Sequence, residues 1–331
     1  MSEELRRSLD ASSKQVDDFI GKLFPEQRSQ DLYKASKYLL SAGGKRLRPF
    51  LVITCCELVD GDSKKAVPLA AAIELIHNFT LIHDDIMDED NLRRGVPTVH
   101  KLYGTSMAIL AGDTLFAKAY ESALQAVEGV SSKRLLQAVE VMTKATVEIC
   151  EGQALDMMFE HRSKVTEREY LEMIEKKTAA LMVAAAEMGA IVGGGTPREI
   201  DRLRRAMRAS GLAFQMVDDI LGLTADERTL GKPVGSDIRE GKRTLITIHG
   251  LNHAGRTEKD LIFRALGNRD ATAEEIGEAM GILNSIGAVE YVSAKAEAYN
   301  QKAKAEVRKF SPSASRARLL ELLDYMVERD R

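Results

Sequence analysis

The middle of this chain contains a long stretch without proline. Only seven prolines occur among the 331 residues, and none lies between Pro97 and Pro197. The stretch is rich in Ala, Leu, Met, Glu and Lys, the residues that lose least side-chain freedom when they enter a helix. Thr166 and Glu169 form a capping-box pattern, in which side chains satisfy the free amides at a helix start. These features predict an all-α fold.

One segment leaves room for a different interpretation. Residues 50–59 are apolar enough to form a buried strand, although the sequence returns to helix-like composition after them. The breaks in the helical pattern are short and contain no low-complexity linker, and no repeat with a period of 20–50 residues occurs. We therefore expect residues 1–331 to form a single domain, one large helical bundle. Functional groups would project from its facing helices into a central cavity.

Composition excludes several classes of protein. With 44% hydrophobic residues, the chain has enough apolar surface for a full core, so disorder is excluded as its main state. The 47 Lys and Arg residues against 50 Asp and Glu residues leave a net charge of −3, which argues against nucleic-acid binding through a basic surface. No uncharged apolar run approaches the ~18 residues of a membrane span.

The cysteines and the N-terminus indicate a compartment. Cys55, Cys56 and Cys150 have neither the spacing of a zinc site nor the number expected of a disulfide framework. The N-terminal residues are polar and mixed in charge, which is typical of neither a signal peptide nor a transit peptide. We expect a soluble, cytoplasmic protein.

The densest chemistry lies in HDDIMDEDNLRR, residues 83–94. On a helix, Asp84 and Asp88 share one face a turn apart, with Asp85 beside them. Like charges at this spacing destabilise a helix by roughly 0.2–0.5 kcal/mol, so a neutralising cation is expected. Carboxylate oxygens suit Mg²⁺, which typically takes one or two of them together with substrate phosphates. A solvated acidic helix end is the alternative, and the apolar turns before the motif favour the metal site.

A second acidic motif is FQMVDDILGL, residues 214–223. Gln215 and Asp218 share one helical face within an apolar segment, and Asp219 follows directly. The alternative is that one aspartate forms a cap or a structural pair. Two buried helices that each end in carboxylates predict a face-to-face arrangement around bridging metal ions.

Basic residues accompany both acidic motifs. GGKRLRP, residues 43–49, offers three cations beside two glycines that let backbone amides approach phosphate. Arg93 and Arg94 follow the first acidic motif, and Lys232 and Lys242 follow the second. Each basic run alone is typical of a solvated surface, but this placement favours phosphate binding. The chain has no Walker P-loop and no G-x-G-x-x-G after a strand, so a nucleotide-binding fold is not indicated.

In combination, these motifs resemble the trans-polyprenyl diphosphate synthases, or short-chain isoprenyl diphosphate synthases, and most of all the archaeal type that makes geranylgeranyl diphosphate. GGKRLRP, LIHDDIMDEDNLRRG, the Lys177–Thr178 pair, FQMVDDILG and GKPVGSDIREGKRT follow the family's order and spacing. The resemblance covers residues 34–244. It implies an isoprenoid-synthase type of helical bundle, a homodimer, and condensation of isopentenyl diphosphate with allylic diphosphates, assisted by two or three Mg²⁺ ions.

The resemblance also implies roles for individual residues. The metal ligands would be Asp84, Asp85, Asp88, Asp218 and Asp219. The allylic diphosphate would be bound by Arg93, Lys177, Lys232 and Lys242. The diphosphate of isopentenyl diphosphate would be bound by Lys45, Arg48, His77 and Arg94. Thr178 and Gln215 would line the path of the reacting carbon, and with Lys177 they would be the catalytic residues.

Product length is expected to depend on the helix before the first acidic motif. Phe79 lies five residues before Asp84, about 7.5 Å along the axis, and Thr80 beside it is small. An aromatic residue here resembles the floor of the family's product pocket, which implies a twenty-carbon product. An ordinary core role for Phe79 is the alternative, and farnesyl or geranylfarnesyl diphosphate would then be possible products.

One position departs from the family's pattern. The second motif usually reads DDxxD, but its last position here is Gly222. If that carboxylate contacts metal only through water, its loss costs little, and we expect this because the cationic partners are intact. A class I terpene cyclase, an inactive partner subunit and an isoprenoid-binding module remain as other functions.

Overall fold

The computed structural model describes residues 1–24, 30–224 and 235–328, and it is almost entirely helical over these ranges. This confirms the all-α prediction. The first helices are α1 (Glu3–Lys22), α2 (Gln30–Ser41), α3 (Leu47–Leu58), α4 (Val67–Met87), α5 (Val99–Tyr103), α6 (Thr105–Leu124) and α7 (Ser132–Glu160). They are followed by α8 (Glu167–Ile174), α9 (Ala180–Gly193), α10 (Pro197–Thr224), α11 (Ser236–Glu240), α12 (Leu245–His253), α13 (Arg256–Ala265), α14 (Ala273–Ser285), α15 (Ala288–Val307) and α16 (Ala314–Val327).

Short elements complete the described chain. Strands β1 (Leu92–Arg93) and β2 (Val96–Pro97) form an antiparallel hairpin after α4, with Arg93 opposite Val96. Single 3₁₀ turns occur at Ser63–Ala66 and Gln125–Glu128, and a π-helical turn at Glu175–Ala179 follows α8.

The apolar segment at residues 50–59 is helical, not extended, because it belongs to α3. Nine of the twelve residues from Leu47 to Leu58, all but three, are buried. A helix that is buried on nearly all sides has no polar face, so its 3.6-residue period is hidden in the sequence. The interpretation of residues 50–59 as a buried strand was therefore wrong, and the all-α prediction holds for this segment too.

One compact unit contains residues 1–146, 181–207 and 304–323. Helix α4 packs against α1, α3 and α6 within this unit. On length and composition alone, α4 with the turn before it could cross a membrane, but most of its apolar stretch is buried inside the protein. This is the pattern of a core helix, and it brings the first acidic motif to the end of a buried element.

The other compact unit contains the described residues of 147–180, of 208–303 and of the segment after 323. Its apolar core includes Tyr170, Met173, Met216, Ile246 and Leu283, from α8, α10, α12 and α14. Helix α8 begins at the capping box predicted from sequence: the Thr166 hydroxyl accepts from the Glu169 amide, and the Glu169 carboxylate accepts from the Thr166 amide.

Candidate active site

The first acidic motif forms the carboxyl end of α4. Asp88 is the C-cap residue, and its amide donates to the carbonyl of Asp84 at 2.8 Å, so the two side chains leave the helix one turn apart as predicted. Both are partly exposed. The carboxyl end of a helix carries a partial negative charge, which makes carboxylates there unfavourable unless cations accompany them. The position of these residues therefore calls for positive partners.

Arg93 supplies one such partner, to Asp85. The Asp85 side chain is only 1% exposed, and its Oδ1 accepts from Arg93 Nε at 2.7 Å. Arg93 also donates to Asp90 Oδ2 at 3.0 Å. Burial would lower the pKa of Arg93, but the carboxylates of Asp85 and Asp90 outweigh it and raise the pKa. The pair ties β1 to the end of α4.

Asp84 and Asp88 suit a magnesium ion that is shared with a substrate. Among residues 1–24, 30–224 and 235–328, no group of three or more His, Cys, Asp or Glu side chains is arranged to hold a metal by itself. Mg²⁺ typically binds one or two carboxylates and completes its octahedron with phosphate oxygens and water. Two oxygen-donor side chains a turn apart at a helix end fit that requirement.

A cationic cluster lies around His77, seven residues before Asp84 on α4. Arg48 Nη1 is 3.2 Å from His77 Nε2. Arg94 donates to the carbonyls of Leu39 and Gly43. Burial, and then the charges of the surrounding arginines with Arg48 first, hold the pKa of His77 well below its usual value. His77 is therefore neutral near pH 7, and the positive charge is carried by the arginines beside it.

Of the remaining residues predicted to bind isopentenyl diphosphate, Lys45 is exposed in the loop just before α3. The structure therefore brings Arg48, His77 and Arg94 together, with Lys45 in the adjoining loop.

Phe79 and Thr80 lie on α4 between the cationic cluster and the carboxylates. The Phe79 ring is 4.9 Å from the His83 ring and 5.4 Å from the Phe116 ring of α6, between centroids. Thr80 Oγ1 donates to the carbonyl of His77 at 2.8 Å. Phe79 thus belongs to an aromatic cluster that joins α4 to α6.

In the other unit, a π-helical turn carries Lys177 and Thr178. Gly152 of α7 and Gly211 of α10 pack against this turn: a Cβ on Gly152 would collide with the backbone nitrogen of Lys177, and one on Gly211 would lie 2.5 Å from Ala179 Cβ. Turns of this kind are frequent at functional sites because they redirect side chains within a helix. The sequence contained the Lys177–Thr178 pair but gave no sign of the turn.

Asp156 of α7, which sequence reasoning missed, joins two of the predicted cations. Its Oδ2 lies 2.5 Å from Lys177 Nζ and 3.4 Å from Lys242 Nζ. Burial would raise the pKa of Asp156, but the two ammonium groups outweigh it and lower the pKa. Both amide atoms of the buried Gln153, one turn earlier, have no hydrogen-bond partner among the described residues. Buried polar groups of this kind are expected to pair with a ligand or water.

Four side chains form a hydrogen-bonded series beside the π-helical turn. Thr178 Oγ1 donates to Gln215 Oε1 at 2.7 Å, and Gln215 Nε2 donates to Asp219 Oδ1 at 2.9 Å. Asp219 Oδ2 accepts from the buried hydroxyl of Tyr170 at 2.7 Å. Burial raises the pKa of Asp219 to about 8, although both hydrogen bonds oppose the rise. Asp218, by contrast, is partly exposed.

The departure at Gly222 has a structural counterpart in Asp237. A Cβ built on Gly222 would lie 2.9 Å from Asp237 Oδ2, so the Asp237 carboxylate occupies the space that a side chain at 222 would need. A carboxylate from α11 therefore lies beside the position where the usual motif has its last aspartate. Lys232, which was predicted to bind the allylic diphosphate, lies outside the described residues.

This geometry predicts the effect of restoring the usual motif. Gly222→Asp should lower kcat/KM for the condensation implied by the motifs by about fivefold. Crowding and like-charge repulsion between the new side chain and Asp237 would cost about 1 kcal/mol. Steady-state kinetics would measure the change. The control is the double variant Gly222→Asp/Asp237→Gly, which removes the competing carboxylate and should recover most of the loss. A single variant more active than the wild type would contradict this account.

The fold and the site together define a class of enzyme. The first aspartate pair lies at the end of α4 beside Arg93, the second lies in the last two turns of α10, and Lys177 and Lys242 meet at Asp156. Carboxylates and cations in this combination suit chemistry on diphosphates. The chain matches the polyprenyl synthetase family over residues 29–283. Geranylgeranyl diphosphate synthase from Methanosarcina mazei is 46% identical over 96% of each chain.

Solved structures agree with this match. Geranylgeranyl pyrophosphate synthetase from Pyrococcus horikoshii has a TM-score of 0.93 and 44% identity over 99% of each chain. A polyprenyl synthase from Caulobacter crescentus, complexed with calcium and isoprenyl diphosphate, has a TM-score of 0.91 and 35% identity over 99% of this chain and 97% of that chain. The chain belongs to the polyprenyl synthetase family. It is a prenyltransferase that condenses isopentenyl diphosphate with allylic diphosphates, which confirms the resemblance seen in the motifs.

Proposed function

We propose that this prenyltransferase makes geranylgeranyl diphosphate, the twenty-carbon product, and that it uses Mg²⁺. The observation that carries the product length is Phe79, whose ring lies on α4 five residues before Asp84, against His83 and Phe116. The order of groups along the same helix supports two separate diphosphate sites. His77, at the cationic cluster, precedes Asp84 by seven residues, about 10 Å along the helix axis. One helix therefore presents an arginine-rich site for one diphosphate and a carboxylate site for a metal-bound diphosphate. A terpene cyclase, which takes a single diphosphate, has no need of the first site.

The two substrates would be held by different residues. Lys45, Arg48, His77 and Arg94 bind the diphosphate of isopentenyl diphosphate. Arg93, Lys177, Lys232 and Lys242 bind the allylic diphosphate. The cationic cluster and the close pairing of Arg48 with His77 support the first assignment, and the convergence of Lys177 and Lys242 on Asp156 supports the second.

Two or three Mg²⁺ ions would bind at Asp84, Asp88 and Asp218, whose side chains are all partly exposed. Asp85 and Asp219, the second aspartates of the two motifs, are buried. Asp85 accepts from Arg93, and Asp219 accepts from Tyr170 and Gln215. When bound, the metal supplies positive charge against which the allylic diphosphate departs.

Side chains of the protein stabilise the charges that develop as bonds break and form. The allylic carbon–oxygen bond breaks and its electron pair leaves with the diphosphate, whose growing charge Lys177 and Lys242 stabilise. The double bond of isopentenyl diphosphate attacks the allylic cation and forms the new carbon–carbon bond. The Thr178 hydroxyl donates a hydrogen bond to Gln215 Oε1, so the lone pairs of its oxygen remain available to the cation. The released diphosphate takes the proton that completes the product.

Phe79 would limit the length of the product, and its removal gives a direct prediction. Phe79→Ala should shift the main product from twenty to twenty-five carbons or more, because loss of the ring opens space about 7.5 Å beyond Asp84. Chromatography of the dephosphorylated products would measure the shift. Phe79→Tyr, which keeps the ring, is the control and should retain the wild-type product. An unchanged distribution in Phe79→Ala would assign the ring to the core alone.

Product analysis of the purified protein tests the proposed function. The protein would be incubated with Mg²⁺, isopentenyl diphosphate and, separately, dimethylallyl, geranyl and farnesyl diphosphates. A twenty-carbon diphosphate supports the proposal. A fifteen- or twenty-five-carbon product would overturn the product assignment within the same reaction class. Absence of condensation with every starter would favour the inactive partner subunit and direct attention to Gly222.

We also propose a cytoplasmic homodimer. The cytoplasmic part rests on the sequence, in which the number and spacing of the three cysteines do not suit a disulfide framework. On α6, Ile109, Leu110, Phe116 and Leu124 are exposed large apolar side chains, and such patches typically mark interaction sites. Sedimentation equilibrium should give twice the chain mass of 36.5 kDa. A monomer at micromolar concentration would contradict the dimer.

A further inference from the structure

The loop before α3 contains a buried arginine whose backbone is unusual. Arg46 has φ 46° and ψ 37°, in the left-handed region, at the N-cap position of α3. Residues other than Gly rarely adopt this conformation, because the Cβ approaches the carbonyl oxygen. Such a backbone persists only where the surroundings hold it, and it is commonest at functional sites. The cause here must lie in the contacts of the side chain.

The Arg46 guanidinium is held by acceptors from several elements. Its side chain is 4% exposed, and Nη1 donates to Glu74 Oε1 of α4 at 2.9 Å. Nε donates to Asp17 Oδ1 of α1 at 3.0 Å, and Nη2 donates to the carbonyl of Leu40 at the end of α2 at 2.7 Å. Although Arg46 is one of the three cations in GGKRLRP, its charge is met by protein carboxylates. It does not share the role of its neighbours.

The acceptor on α4 is itself fixed. The Glu74 side chain is 2% exposed, and its Oε1 also accepts from Asn78 Nδ2 at 2.9 Å. Glu74 lies three residues before His77, so the two side chains project from neighbouring turns of one face of α4. An arginine fixed to Glu74 therefore sets the position of the loop along the helix. Arg48, two residues later, then reaches His77 at 3.2 Å.

We propose that Arg46 is a positioning residue for isopentenyl diphosphate: it ties the loop to α4 through Glu74 and thereby places Lys45 and Arg48 beside His77. This inference rests on the proposed role of Lys45, Arg48 and His77. It differs from a charge effect, in which Arg46 would only add positive potential. A lysine at position 46 keeps the charge but cannot reach acceptors on three helices with a planar fork.

Two variants separate positioning from charge and from stability. Arg46→Lys keeps the charge and loses the fork. Arg46→Met/Glu74→Met removes both buried charges together, so neither is left alone, and Asp17, the other carboxylate partner of Arg46, is half exposed. In both variants, KM for isopentenyl diphosphate should rise about 10–100-fold, because small displacements of binding groups cost this much. KM for the allylic diphosphate should stay within about twofold of the wild-type value, since that site uses other residues.

The control is the same Arg→Lys substitution in an arginine–glutamate pair away from the proposed site. Arg318 pairs with Glu57 at the other end of α3, at 2.5 Å. Arg318→Lys should leave both KM values as in the wild type. Thermal unfolding of every variant checks that each is folded at the assay temperature.

Each outcome bears on one claim. A wild-type KM for isopentenyl diphosphate in folded Arg46→Met/Glu74→Met overturns the inference. A wild-type KM in folded Arg46→Lys overturns the role of the guanidinium fork, because a single ammonium group at position 46 would then suffice. Arg48→Gln tests the proposed site separately. An unchanged KM for isopentenyl diphosphate in Arg48→Gln refutes that site, whereas a raised KM there with no effect at Arg46 refutes only the positioning role.

Discussion

Asp84→Asn should lower kcat/KM for condensation by about 10³-fold or more, because it removes the charge that would hold a metal against the departing diphosphate. The substitution keeps the size of the side chain, so packing at the end of α4 is retained. Asp84 and Asp88 lie a turn apart at the negative end of the helix dipole. Loss of one carboxylate there should therefore relieve repulsion and raise thermal stability slightly while activity collapses. Opposite changes in stability and activity are typical of a binding site.

The measurement is a pair of titrations. Activity followed against Mg²⁺ concentration should show a higher requirement in Asp84→Asn, and differential scanning fluorimetry should show an unchanged or raised melting temperature. Glu89→Gln, which removes an exposed charge just beyond the same helix end, is the matched control. It should behave as the wild type. Equal loss of activity in both variants would show that general charge, and not a metal site, is responsible.

Asp156→Asn should raise KM for the allylic diphosphate about tenfold and lower kcat/KM about 30-fold or more, because Lys177 and Lys242 lose the carboxylate that holds them together. The fold should also be weakened, by about 1–3 kcal/mol at neutral pH, because Lys177 and Lys242 lose the carboxylate that they share, while Lys242 keeps Glu160 at 3.4 Å.

The pH dependence gives the sign of the stability effect. The pKa of Asp156 is lowered in the folded protein. Its carboxylate therefore stabilises the fold at pH values above its ordinary, unfolded pKa, and this contribution disappears as pH falls through the lowered value. The difference in unfolding free energy between wild type and Asp156→Asn should have its largest value near pH 7 and should decrease below about pH 4.

Chemical denaturation at several pH values, combined with steady-state kinetics, would test both parts. Glu151→Gln is the matched control: Glu151 pairs with Lys176, the neighbour of Lys177, at 2.9 Å, and its side chain is about half exposed. Because exposed pairs contribute at most about 1 kcal/mol, this variant should change little. A wild-type KM for the allylic diphosphate in Asp156→Asn would show that the two lysines do not depend on Asp156.

The sequence was most informative where a function depends on spacing along one helix. The separation of Asp84 and Asp88 predicted a shared face, and the structure has them a turn apart at the end of α4. It was least informative where partners come from elsewhere in the chain. Asp219 is predicted as a metal ligand from the motif, and the sequence could not show that its carboxylate also accepts from Tyr170, 49 residues away. Spacing cannot reveal such a partner.

The contacts of Asp156 and Arg46 could not be predicted from the sequence, for related reasons. Asp156 had one available signal: with Gly152 and Gln153 it places small and polar residues among the buried positions of α7. Arg46 had none, because a basic residue between two phosphate-binding candidates is indistinguishable in sequence from one of them. Only its carboxylate partners from α1 and α4 separate it.

The two glycines beside the π-helical turn limit how this enzyme can diverge. Gly152 and Gly211 each leave less space than one methyl group before the backbone or Cβ of the turn is reached. A lineage that acquired alanine at either position would have to shift the turn or the helix beside it, because a Cβ at position 152 would collide with the backbone nitrogen of Lys177 and one at position 211 would lie 2.5 Å from Ala179 Cβ. Either shift would displace Lys177 and Thr178, for which we propose contacts with the substrates. Substitution at these two positions should therefore affect the reaction, although neither glycine has a side chain that could touch a substrate.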